Sequence, residues 1–249
     1  SPFAILPCAA FIPLLQNKRF FMKITWLGHS AFELFSHGVK ILIDPFFTGN
    51  PFAGDTEAFI NPDLILVTHD HGDHLGDTVG IMKNGTSKFL GIADLCSYLP
   101  SLGVDPRQIM FGGSGMNIGG TVKFAGFSIT MTNAVHSAGH GSCVGYIIQD
   151  PNGFTVYHAG DTALFGDMAL LAERFAIDVA LLPIGGHYTM DSLDAAKACS
   201  YLEAENVIPM HYKTFPVLCQ DTLEFSKQLA HYSEHTNLIS LNPQESAEF

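Results

Sequence analysis

Basic side chains are scarce in this 249-residue chain: Lys and Arg together number 12 against 24 Asp and Glu, for a formal net charge of -12. Such a balance repels phosphate backbones and anionic membrane faces, which argues against long nucleic acid and membranes as partners. Bound divalent metals would add positive charge locally, so a small anionic substrate stays open. Paired cysteines are also lacking. Cys8, Cys96, Cys143, Cys199 and Cys219 are odd in number, widely spaced and without a C-x-x-C pair, so neither a disulfide framework nor a zinc ribbon is expected, and a reducing cytoplasmic setting fits. The apolar stretch at residues 1–21 is too short for a membrane span and is broken by Pro2, Pro7 and Pro13. Its charges, Lys18 and Arg19, follow the apolar part, the reverse of a secretory signal. We read residues 1–21 as an N-terminal extension and 22–249 as the functional domain. With 47% hydrophobic residues, that domain can bury a substantial core.

Short apolar or alternating runs at 23–27, 31–35, 39–43, 64–67, 89–92, 121–124, 128–132, 144–148, 154–157, 179–182 and 207–209 predict strands. Asp150-Pro151-Asn152-Gly153 is a hairpin turn signal between two of them. Helical periodicity covers 76–83, 93–99, 163–175, 193–203 and 222–231, with Asp191 or Ser192 able to cap the fourth. Strands come early and paired in each half, and helices follow strands later. That order predicts two packed sheets with helices outside, a four-layer αββα sandwich of the α/β class. The glycine-rich 112–120 has the wrong spacing for a dinucleotide loop and precedes a strand, so it reads as a turn.

Residues 68–77, THDHGDHLGD, hold three imidazoles and three carboxylates directly after an apolar strand. Burying such groups is costly unless something positive compensates them, and a metal is the obvious candidate. His69 and His71 are two apart, so on an extended backbone they point to one side and can share an ion. Gly72 permits a sharp turn after which Asp73 and His74 open a helix and face a neighbouring point. Imidazole with carboxylate suits zinc, with iron or manganese as alternatives. Further donors are needed for two sites, and His136, Asp161 and His211 each follow a predicted strand, where α/β sheets usually place ligands.

With these donors in order, HDHGDH resembles the H-x-H-x-D-H motif of metallo-β-lactamase-fold hydrolases. More narrowly, MKITWLGHSAFEL, HAGDT and LPIGGHYTMD resemble the metal-dependent hydrolases related to ascorbate-phosphate lactonase, from Met22 to about Leu241. The resemblance implies that His69, His71 and His136 bind one ion, that Asp73, His74 and His211 bind the other, and that Asp161 bridges them. In the flavin-associated di-iron branch of that fold a carboxylate would stand at position 71. His there implies hydrolysis instead of oxygen or nitric oxide reduction. The implied reaction is attack by a dinuclear-metal-bound hydroxide on a small ester, lactone or related substrate, with Asp73 orienting the nucleophile. A phosphodiesterase or nuclease with the same metal set, and a non-catalytic metal-dependent binding or regulatory module, are the alternatives.

Around this set, His29 reads either as a site residue, supporting a ligand from behind or touching substrate, or as a plain structural hydrogen-bonding group, and His187 reads as a residue for substrate binding or proton donation. Lys213 either meets an anionic substrate group or is an ordinary exposed lysine. Asp44, in LIDPF, either braces a ligand histidine or forms an Asp-Pro turn. His158 reads as a packed strand residue and His140 as a loop residue near the mouth, while His37, His231 and His235 read as surface residues. Cys143 lies near a proposed ligand but has no clear histidine partner for nucleophilic catalysis. Specificity resides in loops such as 46–60, made apolar by Phe46, Phe47, Phe52 and Phe59, and 112–120. A homo-oligomer is left open.

Overall fold

Two mixed sheets carry the described residues, 22–249, of this computed structural model. The expected extension, 1–21, lies outside them. The first sheet contains β1 (Lys23–Trp26), β2 (Phe32–Ser36), β3 (Val39–Ile43), β4 (Leu64–Leu66) and β5 (Lys88–Leu90). The second is built from β6 (Thr121–Phe124), β7 (Phe127–Asn133), β8 (Val144–Gln149), β9 (Thr155–His158), β10 (Val179–Pro183), β11 (Asn206–Met210) and β12 (Asn237–Leu238). The last strand, β13 (Ser246–Glu248), returns to pair antiparallel with β1 in the first sheet. The strands β4 and β10 are wholly buried, as central parallel strands are, so they read in sequence as continuous apolar runs instead of alternating ones. One continuous apolar core contains Ile24, Leu34 and Leu66 from the first sheet with Met131, Ile148 and Leu181 from the second. Two mixed sheets with helices in their connections match the sandwich expected from the element order.

The helices are α1 (Gly72–Leu75), α2 (Thr78–Asn84), α3 (Ala93–Tyr98), α4 (Met168–Arg174), α5 (Ser192–Leu202) and α6 (Leu223–Tyr232). Asp191 caps α5, its carboxylate accepting from the Asp194 amide at 2.9 Å. The expected hairpin is held by Asp150, whose Oδ1 accepts from the Asn152 and Phe154 amides at 2.8 and 3.0 Å.

Two helices differ from expectation. The helix expected over 76–83 forms as α2, but Asp73 and His74 open a separate short helix, α1, which stops at Gly76 (φ 44°). A side chain at Gly76 would run into the Pro45 carbonyl, so the chain passes there only as glycine. In the second case, 163–175 is helical only from Met168. The Thr162 hydroxyl donates to the Ala163 carbonyl, and the turn ahead of the helix includes Gly166. The strands β12 and β13 were not expected; at two and three residues they carry no periodicity and exist by pairing.

Topology decides where the chain's chemistry gathers. In the first sheet β3 and β4 are parallel, and β1 runs with them because two antiparallel steps separate it from β3. In the second, β9, β10 and β11 are parallel and β7 runs with them by the same logic. The carboxyl ends of these strands therefore share an edge within each sheet. The two edges are stitched together: the Val144 amide donates to the Thr68 carbonyl (3.0 Å), the His211 amide to the His29 carbonyl (3.1 Å), and the Tyr146 hydroxyl to the Val67 carbonyl (2.7 Å).

Candidate metal centre

Each expected donor follows one of those strand ends. His69 lies beyond β4, with His71, Asp73 and His74 on the turn into α1; His136 lies beyond β7, Asp161 beyond β9 and His211 beyond β11. Their ligating atoms form overlapping groups, each within 4.8 Å: His69 with His71 and His136, Asp73 with His74, His211 and His29, and His69 with His74 and Asp161. His69 Nε2 lies 2.9 Å from His71 Nδ1. Asp161 stands between the groups. Its Oδ2 is 3.2 Å from His74 Nε2, 3.6 Å from His136 Nε2 and 3.1 Å from His211 Nε2.

The ligand rings are aimed by what lies behind them. Asp44, wholly buried, accepts from His74 Nδ1 at 2.7 Å, which leaves Nε2 facing the centre. The same carboxylate accepts from the Thr68 amide and hydroxyl, both at 2.7 Å. Behind Asp73 sits His29, whose Nε2 donates to Asp73 Oδ2 at 3.0 Å. Burial lowers the His29 pKa to about 4, so the ring is neutral, and Nδ1 accepts from the Thr214 hydroxyl at 2.9 Å. Backbone strain concentrates here as well: His29, Asp44 and His211 all have φ between 46° and 54°, a region non-glycine residues rarely adopt. Gly185 lets His211 in, since a side chain there would strike the His211 carbonyl.

Electrostatics fit a divalent cation. Burial lowers the His69 pKa to about 2, so this imidazole stays neutral and keeps a lone pair to give. Burial opposes charge on Asp161, but His74 and His211 outweigh it and hold the carboxyl well below its usual range. Likewise burial opposes charge on His74, and the carboxylates of Asp161 and Asp44 overcome it, so in the metal-free chain a proton occupies this ring. Metal binding would displace that proton. Asp161 Oδ1 is buried and has no hydrogen-bond partner, an expensive condition that a cation beside it would relieve.

Comparison with known proteins places this arrangement. Residues 23–211 match the family profile described as Beta-lactamase superfamily domain. A UPF0173 metal-dependent hydrolase of Nitratidesulfovibrio vulgaris is 51% identical over 225 residues, covering 90% of this chain and 94% of the relative. The chain belongs to the UPF0173 metal-dependent hydrolases. A second UPF0173 hydrolase, from Methanopyrus kandleri, is 44% identical over 236 residues, covering 91% of this chain and all of that one. Among solved structures, Igni18, a metallo hydrolase of Ignicoccus hospitalis, superposes with TM-score 0.83 at 39% identity over 92% of this chain and 98% of its own. The fold is thus that of the metallo-β-lactamases, and the protein is a metal-dependent hydrolase of that superfamily.

In this UPF0173 hydrolase the donors open onto a cleft of about 730 Å³. His71, Asp73, His136, Asp161 and His211 line its polar part, and Phe46, Tyr188, Phe215 and Val217 its walls. Three expected substrate contacts fall elsewhere. His29 is 0% exposed and shut behind Asp73, so it touches the carboxylate instead of the cleft. His187 is exposed and packs its ring edge-on against Tyr188, and it is Tyr188 that lines the cleft. Lys213 is exposed with its ammonium 5.4 Å from the Phe52 ring centroid, outside the lining.

Asp44 takes the bracing role and not merely that of a turn former. His158 is a packed residue, donating from Nε2 to the Ser30 carbonyl (3.0 Å) and accepting at Nδ1 from the Gly160 amide (3.1 Å). His140 stacks on Tyr98 (centroids 3.6 Å apart) and bonds Asp70, whose other oxygen accepts from the Gly139 amide at 2.7 Å. Asp70 thereby straps down the loop that follows His136. Cys143 is buried with its thiol donating to the Asp161 carbonyl, and burial raises its pKa, which makes it inert as a nucleophile. Thr214, Tyr188, Phe215 and Asp70 went unnoticed in the sequence. For Asp70 a signal existed: it stands between His69 and His71, so on an extended chain it faces away from both.

Proposed function

We propose that this UPF0173 hydrolase holds two divalent transition-metal ions, zinc or else manganese or iron, and hydrolyses a small ester, lactone or related bond. His69, His71 and His136 would hold one ion, Asp73, His74 and His211 the other, and Asp161 both. The observation that carries this reading is the position of Asp161 Oδ2, within 3.1 to 3.6 Å of imidazole nitrogens from both groups. A pair of such ions lowers the pKa of water toward about 7 and polarises the substrate oxygen.

The chain's own contribution is positioning and proton handling. Asp73, with its side chain 27% exposed, reaches the cleft while its Oδ2 is held by His29, so it is placed to orient the attacking water and accept its proton. Tyr188 lines the cleft with His187 packed edge-on against it, and His187 is our candidate for returning a proton to the leaving group. The partner is a small molecule, in the cytoplasm. Among the described residues no helix is long and apolar enough to cross a membrane.

Elemental analysis of purified protein should find about two transition-metal ions per chain, and Asp161→Ala should lose most of them together with activity. Full-rate hydrolysis by chelated, metal-free protein would refute the mechanism.

A further inference from the structure

The wall of the cleft beside Asp73 is aromatic and pre-built. Phe46 and Phe215 face each other with ring centroids 6.5 Å apart, and both set their edges against His29, at 5.8 and 5.4 Å. Each ring sits on an anchored loop. The Phe46 carbonyl accepts from Asn50 Nδ2 (3.0 Å), while Asp77 accepts from the next two amides, those of Phe47 and Thr48, both at 2.8 Å. The Phe215 carbonyl accepts from the Leu218 amide and from Gln220 Nε2, both at 3.0 Å. Toward the mouth the wall continues through Val217 and Tyr188, which are 50% and 57% exposed. These rings need no folding to present an apolar surface; it stands ready.

Charge tells the same story from the other side. Among the described residues no Lys or Arg lines the cleft, so away from the metal donors a phosphate or carboxylate on the substrate would meet none of their cationic side chains. Asp73 and Asp161, the carboxylates of the lining, would be neutralised by the ions they hold, which leaves the rest of the cleft apolar and without fixed charge. We infer that the substrate of this site is an uncharged ester or lactone with an extended apolar or aromatic group, which packs against Phe46 and Phe215 while its carbonyl faces Asp73 and Asp161. The inference rests on the ester or lactone reading above. Under it, each methylene added along the wall strengthens binding about fourfold until the wall ends.

The test is a homologous series of 4-nitrophenyl esters, acetate to octanoate, on the metal-loaded protein, beside 4-nitrophenyl phosphate and bis(4-nitrophenyl) phosphate. We expect kcat/KM to climb about two- to fourfold per methylene. Phe215→Ala should flatten the climb, and Val217→Asp should depress the longest esters most, with metal content measured for each. Calorimetry supplies a readout without turnover: neutral methyl ketones of increasing chain length should bind with rising affinity, and Phe215→Ala should remove that rise. A rate independent of chain length, or preference for either phosphate, would overturn the inference. Ketones that bind with the expected length dependence while no ester or lactone is hydrolysed would leave the apolar site standing and sink the ester reading instead.

Discussion

Asp44→Asn isolates the support behind the metal ligands without disturbing shape. The side chain is isosteric, and asparagine tolerates the left-handed backbone that Asp44 adopts at φ 46°, so strain does not enter. Three donors meet the native carboxylate: the Thr68 amide at Oδ1, and the Thr68 hydroxyl and His74 Nδ1 at Oδ2. An amide cannot serve all three. If its oxygen keeps the Oδ2 place, its NH2 confronts the Thr68 N–H. If it turns over, the NH2 donates to His74 Nδ1 and drives the ring proton to Nε2, the atom that must offer a lone pair to the ion.

Losing one charge-assisted hydrogen bond costs about 1.5–3 kcal/mol. For a domain of this size that corresponds to a fall in Tm of roughly 3–12 °C for the metal-free protein. Metal affinity is subject to two opposed effects. Removing the Asp44 charge eases loss of the His74 proton, which helps binding, but misdirects the ring and weakens its basicity, which hurts it. Loss of a supporting carboxylate typically lowers affinity 10- to 100-fold, about 1.4–2.8 kcal/mol, so the second effect wins. Competition with a chromophoric chelator reads the affinity and calorimetry the Tm. An Asp44→Asn protein that matches wild type within twofold in affinity and within a degree in Tm would refute the reasoning.

Other consequences are as direct. Burial lowers the pKa of His29 to about 4 and of His69 to about 2, and also lowers those of His136 and His158, whereas the unfolded chain protonates its imidazoles near 6.5. The unfolded state therefore binds more protons below that pH, and these four outweigh the opposite contribution of His74, so the metal-free Tm should fall between pH 7 and pH 5; a level or rising Tm would contradict this. Asp70→Asn should free the His140 loop and weaken retention of the ion held with His136 while the other ion stays, measured as metal stoichiometry under mild chelation; loss of both ions together would argue against a local strap. Among the described cysteines, Cys219 is partly exposed and Cys96, Cys143 and Cys199 are buried, so mass-spectrometric mapping after brief thiol labelling should find Cys219 modified first among the four.

The cluster of proposed metal donors was legible because most of the information is local. Four of the seven fall in one six-residue stretch, 69–74, shortly after one strand, and the other three follow apolar runs that announce their strands. Spacing of two residues and a glycine-permitted turn bring His69, His71, Asp73 and His74 to one place, and Asp44 and His29 then fix how His74 and Asp73 point. The strand order was readable for a similar reason: buried parallel strands are continuous apolar runs, and β12 and β13 escaped because two or three residues hold no pattern. At Gly76 local periodicity misses a break: its positive φ separates α1 from α2, and the close approach of Pro45, far away in sequence, leaves room only for glycine.

What only the tertiary structure decided is which group faces which across the two sheets. His29 and Asp73 are 44 residues apart and Asp44 and His74 are 30 apart; no pattern links them, and their hydrogen bonds exist because two strand-end edges are pinned together by the Val144 and His211 amides. That packing decided between the readings of His29 in favour of support for Asp73, left Lys213 and His187 out of the cleft lining, and brought Phe46 and Phe215 into one wall. Ligand chemistry is written in short spacings along the chain. The shape and charge of the space around it depend on long-range packing, which short spacings do not encode.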